Sequence, residues 1–292
     1  MSKSPTVLIT GASGNIGTAL IEILDGAGFN IIAGHHPSAP IPSSLISKCS
    51  SIELDYDSVT TVTNAFDTDI DYLFLIPSKS EERALQAKRL VAVAVEKNIK
   101  FIVLVSLLDC NSRSGMLAAQ FRYIEQYIEA TGIPYTFLRC APLQQNFLDL
   151  KEHFHQSLAT ISIPIGTGGY APIHCKDVAK VAKTILDHPK QHSSRTYRLT
   201  GPELLTGVLI AGKAAQGLDR PVRFINRSVV TSKSPTWASF LDQELYALIA
   251  KGFFTSVSKD VEILTGIKGI TLQDFFKENR ELFNSYPSAA RL

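Results

Sequence analysis

Short apolar runs alternate with amphipathic stretches through the first half of the chain. Most runs hold four or five apolar residues, a pattern typical of strands buried on both faces of a parallel sheet. The stretches between them repeat apolar residues at helical spacing, and in one of them the expected core side is Leu85, Leu90, Val91 and Ala94. The predicted strands span residues 6–10, 30–33, 51–54, 72–76, 101–105 and 135–138, and the predicted helices residues 18–27, 58–66, 81–97 and 115–130.

The order of these elements indicates βαβ units joined by right-handed crossovers. We therefore expect an α/β fold with a Rossmann-like, doubly wound parallel sheet in residues 1–150. Residues 151–292 are less regular and predict a smaller, mostly helical substrate lobe, of which about 171–200 returns to the main sheet. The cleft between domain and lobe is the expected substrate site. In this half the predicted strands span residues 161–165, 196–199 and 222–225, and the predicted helices residues 146–158, 177–187, 205–216 and 272–283.

A glycine-rich turn links the first predicted strand to the first predicted helix. Its glycines recur every third residue, and each has a use: the first can take a positive φ, the second leaves room for a pyrophosphate, and the third lets the helix lie close to the strand. The helix start directs free N–H groups and a positive dipole end at the turn. We expect the diphosphate of a dinucleotide here, although three glycines can also form only a tight turn. The candidate cofactor-binding residues are Gly11, Ser13, Gly14, Asn15, Ile16 and Gly17.

Ligands of such sheets bind beyond the carboxyl ends of the strands, which adds further candidates. NAD enzymes usually carry an acid after the second strand, where this chain has Gly34, His35 and His36. This favours NADP(H) over NAD(H), with both histidines and Ser38 able to bind a 2′-phosphate, more weakly than an arginine would. Two adjacent histidines on an exposed turn can equally have no role. The further cofactor-binding candidates are His35, His36, Asp55, Ile76, Pro77, Ser106 and Cys140.

The composition mainly excludes classes of partner and classes of site. The formal net charge is +2, so we expect neither nucleic acid nor a membrane as partner. The four cysteines lack short paired spacing, and we expect reduced thiols without a metal site or a disulfide framework. The sequence shows no signal segment after its first residue and no apolar run near the ~18 residues that span a membrane. We expect a cytoplasmic protein, a monomer or homodimer, that acts on a small molecule.

Several further segments resemble the NmrA-like branch of the atypical short-chain dehydrogenases/reductases. The resemblance covers nearly the whole chain and is nearest to fungal alkaloid-pathway reductases of the agroclavine and festuclavine type. It implies an NAD(P)-binding Rossmann-like domain, a small substrate lobe, a role in secondary metabolism such as alkaloid biosynthesis, and a position near the adenine for Asp55, which can equally cap a helix. Besides the glycine turn, the segments that carry it are residues 100–106, 132–139, 145–147, 171–179, 197–203, 264–266 and 271–279.

The acid of the larger superfamily is missing from this chain. That superfamily activates a substrate oxygen with a tyrosine four residues before a lysine, and none of the nine tyrosines here has a lysine at that place. We therefore expect an NAD(P)H-dependent reductase whose substrate needs little acid help, such as an iminium or a quinone, so that orientation and the cofactor supply most of the chemistry. The alternatives are an NADP(H)-sensing regulator with little or no catalysis, and a non-redox isomerase or cyclase.

Other side chains are candidates for helping the reaction. Ser106 stands where the superfamily keeps its catalytic serine, and Tyr123 and His174 are further possible catalytic residues. Each has a structural alternative: a serine at a strand end, a half-buried core tyrosine, and a histidine that packs or caps. The candidate substrate-binding residues, of which the first two can also cap a helix, are Gln145, Asn146, Phe147 and Tyr170.

Overall fold

The computed structural model describes residues 4–112, 114–154, 158–227 and 237–284. The chain forms two compact units, one of Met1–Cys140 with Cys175–Arg198 and one of Ala141–His174 with Leu199–Leu292. This division differs from a single boundary at residue 150, because the chain leaves the main sheet after Cys140. The sequence predicts that about 171–200 return to that sheet, and within this range Cys175–Arg198 belongs to the first unit.

Strands and helices alternate along the described residues much as the apolar pattern predicts. The strands are β1 (Thr6–Ile9), β2 (Asn30–His35), β3 (Ser50–Glu53), β4 (Tyr72–Leu75), β5 (Phe101–Leu107), β6 (Tyr135–Cys140), β7 (Ala159–Ser162), β8 (Gly169–Tyr170), β9 (Arg195–Leu199), β10 (Leu205–Thr206) and β11 (Val222–Ile225). The α-helices are α1 (Asn15–Leu24), α2 (Val59–Asn64), α3 (Arg83–Glu96), α4 (Gly115–Thr131), α5 (Cys175–Asp187), α6 (Gly207–Leu218), α7 (Trp237–Ala250), α8 (Asp260–Thr265), α9 (Leu272–Glu278) and α10 (Arg280–Asn284).

The first unit is built on a seven-stranded sheet with the order β3-β2-β1-β4-β5-β6-β9. The strands from β3 to β6 pair in parallel, and Leu8 of β1 lies between Ile32 of β2 and Leu73 of β4. The strand order reverses at β1, which is the feature that creates a ligand crevice in doubly wound sheets. This confirms the predicted α/β, Rossmann-like fold.

Apolar side chains from α3 and α4 cover one face of this sheet, where Leu90, Val91 and Ala94 are buried as predicted. The core assignment of Leu85 is wrong, because 49% of its surface is exposed. Leu85 precedes Leu90 by five residues, which places the two side chains about 140° apart around the helix. On the other side of the unit, α1 packs against α5.

Local chemistry explains several element ends. Ser58 caps α2 by accepting a hydrogen bond from the Thr61 N–H group at 3.3 Å. Gly132 ends α4 in the left-handed region with φ +76°, where a glycine carries no Cβ penalty. Helix α1 begins at Asn15, three residues earlier than predicted, because Gly14 itself takes the capping position.

The second unit differs more from its predicted elements. A helix is predicted over 146–158, and residues 144–154 form a 3-10 helix, while residues 155–157 of that prediction lie outside the described residues. The predicted strand over 161–165 lies at β7 instead, paired in parallel with β11, and the predicted helix over 205–216 begins only at Gly207, after the short strand β10. The last predicted helix is divided into α9 and α10.

An aromatic cluster forms much of the core of the second unit. Neighbouring rings stand 4.8–6.2 Å apart between centroids, in tilted and edge-to-face arrangements. Its members are Phe147, Phe154, Phe275, Phe276 and Phe283.

Within the described part of the chain, no helix combines the length and the apolar character that crossing a membrane would require.

Candidate functional site

The glycine turn after β1 packs against the start of α1 so closely that a side chain is excluded at Gly17. Gly11 has φ +59°, and its carbonyl oxygen accepts a hydrogen bond from the Gly14 N–H group at 3.0 Å. A Cβ atom at Gly17 would stand 2.5 Å from the Gly11 carbonyl oxygen and 2.6 Å from the Ala12 Cα atom. The third glycine therefore permits close contact between the turn and the helix, as the spacing predicts.

The start of α1 is free to receive an anion. Gly14 is exposed and extended, with φ −82° and ψ 171°, and no side chain caps the helix. The first helical hydrogen bond runs from the Thr18 N–H group to the Gly14 carbonyl oxygen at 2.9 Å, so the N–H groups of residues 15–17 precede the helical ladder. The first turn contains no acidic residue to occupy the positive end of the dipole.

The predicted side chains of the turn divide by exposure. Asn15 is exposed and Ser13 is half-buried, so both are accessible to a ligand. Ile16 is only 7% exposed, and its side chain anchors α1 in the core. At Ile16 it is therefore the backbone, and not the side chain, that could contact a ligand in the turn.

Two residues outside the predicted set fix this turn to the segment after β4. The buried Thr10 hydroxyl accepts from the Ile76 N–H group at 2.8 Å and donates to the Ile76 carbonyl oxygen at 3.2 Å. The Tyr56 hydroxyl donates to the same carbonyl oxygen at 2.9 Å, and burial raises the pKa of Tyr56 to about 12. Thr10 had a signal in the sequence, as the polar residue that ends a buried apolar strand. Tyr56 had none.

The edge beyond β2 and β3 carries a histidine and a carboxylate together. His36 Nδ1 lies 2.7 Å from the Ser38 hydroxyl and accepts from the Ser38 N–H group at 3.2 Å, which leaves the proton of the neutral ring on Nε2. That atom is 3.9 Å from Asp55 Oδ1. His35 donates from Nδ1 to the His36 carbonyl oxygen at 3.1 Å. Strand β2 ends without an acidic residue, but Asp55, which follows the neighbouring strand β3, lies beside that end.

A buried arginine supports the segment that follows β4. Arg83 is 3% exposed and donates from Nε to the Ser78 carbonyl oxygen at 2.6 Å. The Ser78 hydroxyl also donates to Gln86, which in turn donates to Asp57 at 2.8 Å. The predicted candidates in this segment, Ile76 and Pro77, are both half-buried.

Ser106 is buried at the end of β5, and its hydroxyl donates to the Glu125 carboxylate at 2.7 Å. Glu125 also accepts from Arg139 at 2.9 and 2.8 Å. Burial alone would raise the pKa of Glu125, but the hydrogen bonds from Arg139 and Ser106 hold it below its ordinary value. A serine that already donates to a buried carboxylate is poorly arranged to protonate a substrate itself, and the catalytic role of Ser106 stays a prediction.

The cysteines near these strand ends are not activated. Burial, followed by the charge of Glu125, raises the pKa of Cys110 to about 12. Burial raises that of Cys140 to about 12 as well, and its thiol lies 3.4 Å from the Leu138 carbonyl oxygen. Only the backbone of Cys140 is suited to the predicted contact with a cofactor. Among the described residues, no group of three or more histidines, cysteines, aspartates or glutamates is arranged to hold a metal ion.

Tyr123 lies on α4 with 43% of its surface exposed. Its predicted catalytic role remains a prediction.

In the second unit, two of the predicted residues are brought together. The Gln145 amide nitrogen donates to His174 Nε2 at 2.9 Å, and both side chains are buried. His174 also packs edge-on against Phe275, with 6.0 Å between ring centroids. This contact makes His174 Nε2 a hydrogen-bond acceptor, which requires the ring to carry its proton on Nδ1.

The other predicted substrate-binding residues differ in how far they are exposed to solvent. Asn146 is exposed, whereas Phe147 belongs to the aromatic cluster and is 3% exposed. Tyr170 is 4% exposed, and its burial raises the pKa of its hydroxyl. Phe147 and Tyr170 are therefore core residues of their unit in this structure, and their role in substrate binding stays a prediction.

The family described as NAD(P)H-binding matches residues 11–189, from the first glycine of the turn to two residues beyond α5. The chain belongs to the NAD(P)H-binding family. The match includes the glycine turn, the uncapped start of α1 and β2 to β6, so it covers the edge at which the candidate residues of the first unit lie.

Individual proteins similar to the chain include reductases and a regulator. The NAD(P)H azoreductase of Xenophilus azovorans is 22% identical over 287 residues, which cover 96% of this chain and 99% of that protein. The triphenylmethane reductase of Citrobacter sp., complexed with NADP(H), superposes with a TM-score of 0.79 and 22% identity over 94% of this chain and 99% of its own. NmrA, a negative transcriptional regulator in complex with NADP, gives a TM-score of 0.80 with 17% identity over 95% of each chain. These likenesses establish the fold.

Proposed function

We propose that the chain is an NAD(P)H-dependent reductase that transfers hydride to a small, electron-poor acceptor such as an iminium or a quinone. The observation that carries the proposal is the uncapped start of α1, which packs against the glycine turn so closely that no Cβ atom fits at Gly17. Membership of the NAD(P)H-binding family supports the choice of ligand. The similarity over nearly the full length to a protein named as an azoreductase supports the choice of reaction.

Different residues of the first unit are suited to different parts of the cofactor. The N–H groups of residues 15–17 are suited to the diphosphate, and the edge beyond β2 and β3 to the adenosine half. The strand order then directs the other half toward the ends of β4, β5 and β6. When bound there, a reduced nicotinamide supplies a hydride. The chain supplies position and surroundings.

The side chains near those strand ends offer little acid help, which favours particular substrates. Ser106 already donates to Glu125, and both Cys110 and Cys140 have raised pKa values. No tyrosine precedes a lysine by four residues. A hydride added to an iminium carbon gives a neutral amine without any proton, and a quinone reduced in this way can take its proton from water. The alkaloid-pathway resemblance of the sequence agrees with the iminium.

We also propose that NADP(H) is preferred to NAD(H). His36 and Ser38 present polar groups beside the expected position of the ribose 2′-oxygen, and Asp55 opposes a phosphate there. His36→Gln should reduce the preference, and the matched variant Asp55→Asn should increase it.

The experiment is a titration with NADPH and NADH, followed by turnover against panels of quinones and iminium ions. Binding with oxidation of the nucleotide supports the reductase. Binding without turnover of any acceptor would favour a regulator that senses NADP(H), for which the NmrA fold is a precedent. Failure to bind either nucleotide would reject both and leave a non-redox isomerase or cyclase.

A further inference from the structure

One fully buried carboxylate joins three elements of the first unit. Glu125, on α4, is 0% exposed and accepts hydrogen bonds from the Ser106 hydroxyl at 2.7 Å and from Arg122 at 3.0 Å. It also receives both arms of the Arg139 guanidinium, from Nε at 2.9 Å and from Nη2 at 2.8 Å. We name Ser106, Arg122, Glu125 and Arg139 the Glu125 cluster.

The cluster fixes two neighbouring strand ends to each other. Ser106 of β5 and Arg139 of β6 are partners in the parallel register, so they stand side by side near the carboxyl ends of their strands. Glu125 reaches both from the helix that connects the two strands. Charge-assisted and two-armed hydrogen bonds are short and directional, so the cluster determines how far each strand end can move.

The position of the cluster in the sheet relates it to one half of the expected ligand. The glycine turn follows β1, and the adenosine half of a dinucleotide lies on the β2 side of that turn. Strands β5 and β6 lie on the opposite side, beyond β4. The strand ends that the Glu125 cluster holds are therefore those directed toward the nicotinamide half.

We propose that Glu125 is a positioning residue for the nicotinamide half of the cofactor and acts through Ser106 and Arg139 on the ends of β5 and β6. This rests on the proposed reductase function. Glu125 is buried and has no part in the chemistry itself. Its effect is on the orientation of the reacting ring, where a displacement of about 1 Å can reduce a rate about 10²-fold.

A matched control lies one turn further along the same helix. Glu129 receives hydrogen bonds from Arg122 at 3.1 and 3.3 Å, and its side chain is 37% exposed. Glu129→Gln therefore removes a carboxylate from α4 and from the same arginine without altering the link between Glu125 and the strands.

The test compares wild type, Glu125→Gln and Glu129→Gln for binding of NADPH and of adenosine 2′,5′-bisphosphate, which is the adenosine half alone. We expect Glu125→Gln to bind the bisphosphate as wild type does. Its kcat with the quinone or iminium ion that wild type reduces should fall about 10²-fold, and the fluorescence of bound NADPH should change. Glu129→Gln should match wild type in every measurement. The proposal would be overturned if Glu125→Gln lost affinity for NADPH and for the bisphosphate equally, or if its kcat equalled that of wild type.

Arg139→Lys serves if Glu125→Gln does not fold. It keeps the positive charge beside Glu125 but cannot form the two-armed contact. We expect a smaller fall in kcat with unchanged binding of the bisphosphate, and a wild-type kcat in folded Arg139→Lys would also overturn the proposal. If wild-type protein binds neither nucleotide, the reductase function itself fails. If wild type binds a nucleotide and the variants match it in every measurement, only the role of Glu125 is rejected.

Discussion

The backbone of Gly17 lies against the carbonyl group of Gly11, so close that a Cβ atom at residue 17 would stand 2.5 Å from the Gly11 oxygen. The obstacle is backbone, which cannot move aside as a flexible side chain can. We expect Gly17→Ala to reduce the free energy of unfolding by about 1–3 kcal/mol, as overpacking in a rigid site does. Urea unfolding of the two proteins measures the change.

Gly212→Ala is the control for this variant. Gly212 lies inside α6, is exposed, and has nothing within 4 Å of an added Cβ atom. Replacing it should stabilise the protein by up to about 1 kcal/mol, because alanine favours a helix more than glycine does. The same substitution should thus have opposite signs at the two positions, and equal effects would contradict the close contact in the turn.

Gly14 differs from Gly17 because a side chain can be added there without breaking the turn. Its φ is −82°, and an added Cβ atom would stand 3.3 Å from the Gly11 oxygen. Aspartate and asparagine are both favourable residues at the start of a helix, so Gly14→Asp and Gly14→Asn should unfold at urea concentrations close to wild type.

The two Gly14 variants should nevertheless differ in nucleotide binding. A carboxylate about 4 Å from a phosphate costs about 1 kcal/mol in water-like surroundings and about 4 kcal/mol near a protein surface. Gly14→Asp should therefore bind NADPH about fivefold to several hundredfold more weakly than Gly14→Asn. Calorimetric titration of both variants measures the ratio. Equal affinities would mean that the diphosphate lies elsewhere.

The sequence predicts the sheet of the first unit well, because the signal for a buried strand is local. The run Phe101 to Val105 is apolar throughout and lies wholly within β5. Two features of the glycine turn are local as well, since Gly11 takes a positive φ and a Cβ atom at Gly17 would meet the Gly11 carbonyl oxygen within the same turn. Both are short-range patterns.

The Glu125 cluster could not be predicted in the same way. Ser106, Glu125 and Arg139 are separated by 19 and 14 positions, and nothing in their spacing joins them. Only the adjacency of β5 and β6 brings them together. The contact of His36 with Asp55 has the same origin, because it depends on β2 and β3 being neighbours. Side-chain chemistry at a sheet edge follows the strand order, which local patterns do not contain.

Two leucines of α3 test where the core of the first unit lies. Leu90 is 1% exposed, whereas Leu85 is 49% exposed. Leu90→Ala should reduce the free energy of unfolding by about 2–5 kcal/mol, the usual cost of a cavity in a packed core. Leu85→Ala should change it by no more than about 0.5 kcal/mol. Urea denaturation of both variants checks the difference, and comparable losses would contradict the observed orientation of the helix.

The buried carboxylate of Glu125 should make stability depend on acid pH. Its pKa is held below the ordinary value of 4.5, mainly because the hydrogen bonds from Arg139 and Ser106 outweigh the effect of burial. A carboxylate with a lowered folded-state pKa contributes its full stability above the unfolded value, and this contribution is lost as the pH falls through the folded value.

Glu125→Gln should therefore be less stable than wild type by about 3–5 kcal/mol near neutral pH, because Arg139 is left without its buried partner. The difference should stay constant down to the ordinary carboxyl pKa and shrink below it, as wild type loses the contribution that the variant never had. Urea midpoints of both proteins between about pH 7 and about pH 3 give the comparison. A difference that does not narrow in acid would mean that the charge of Glu125 does not stabilise the folded chain.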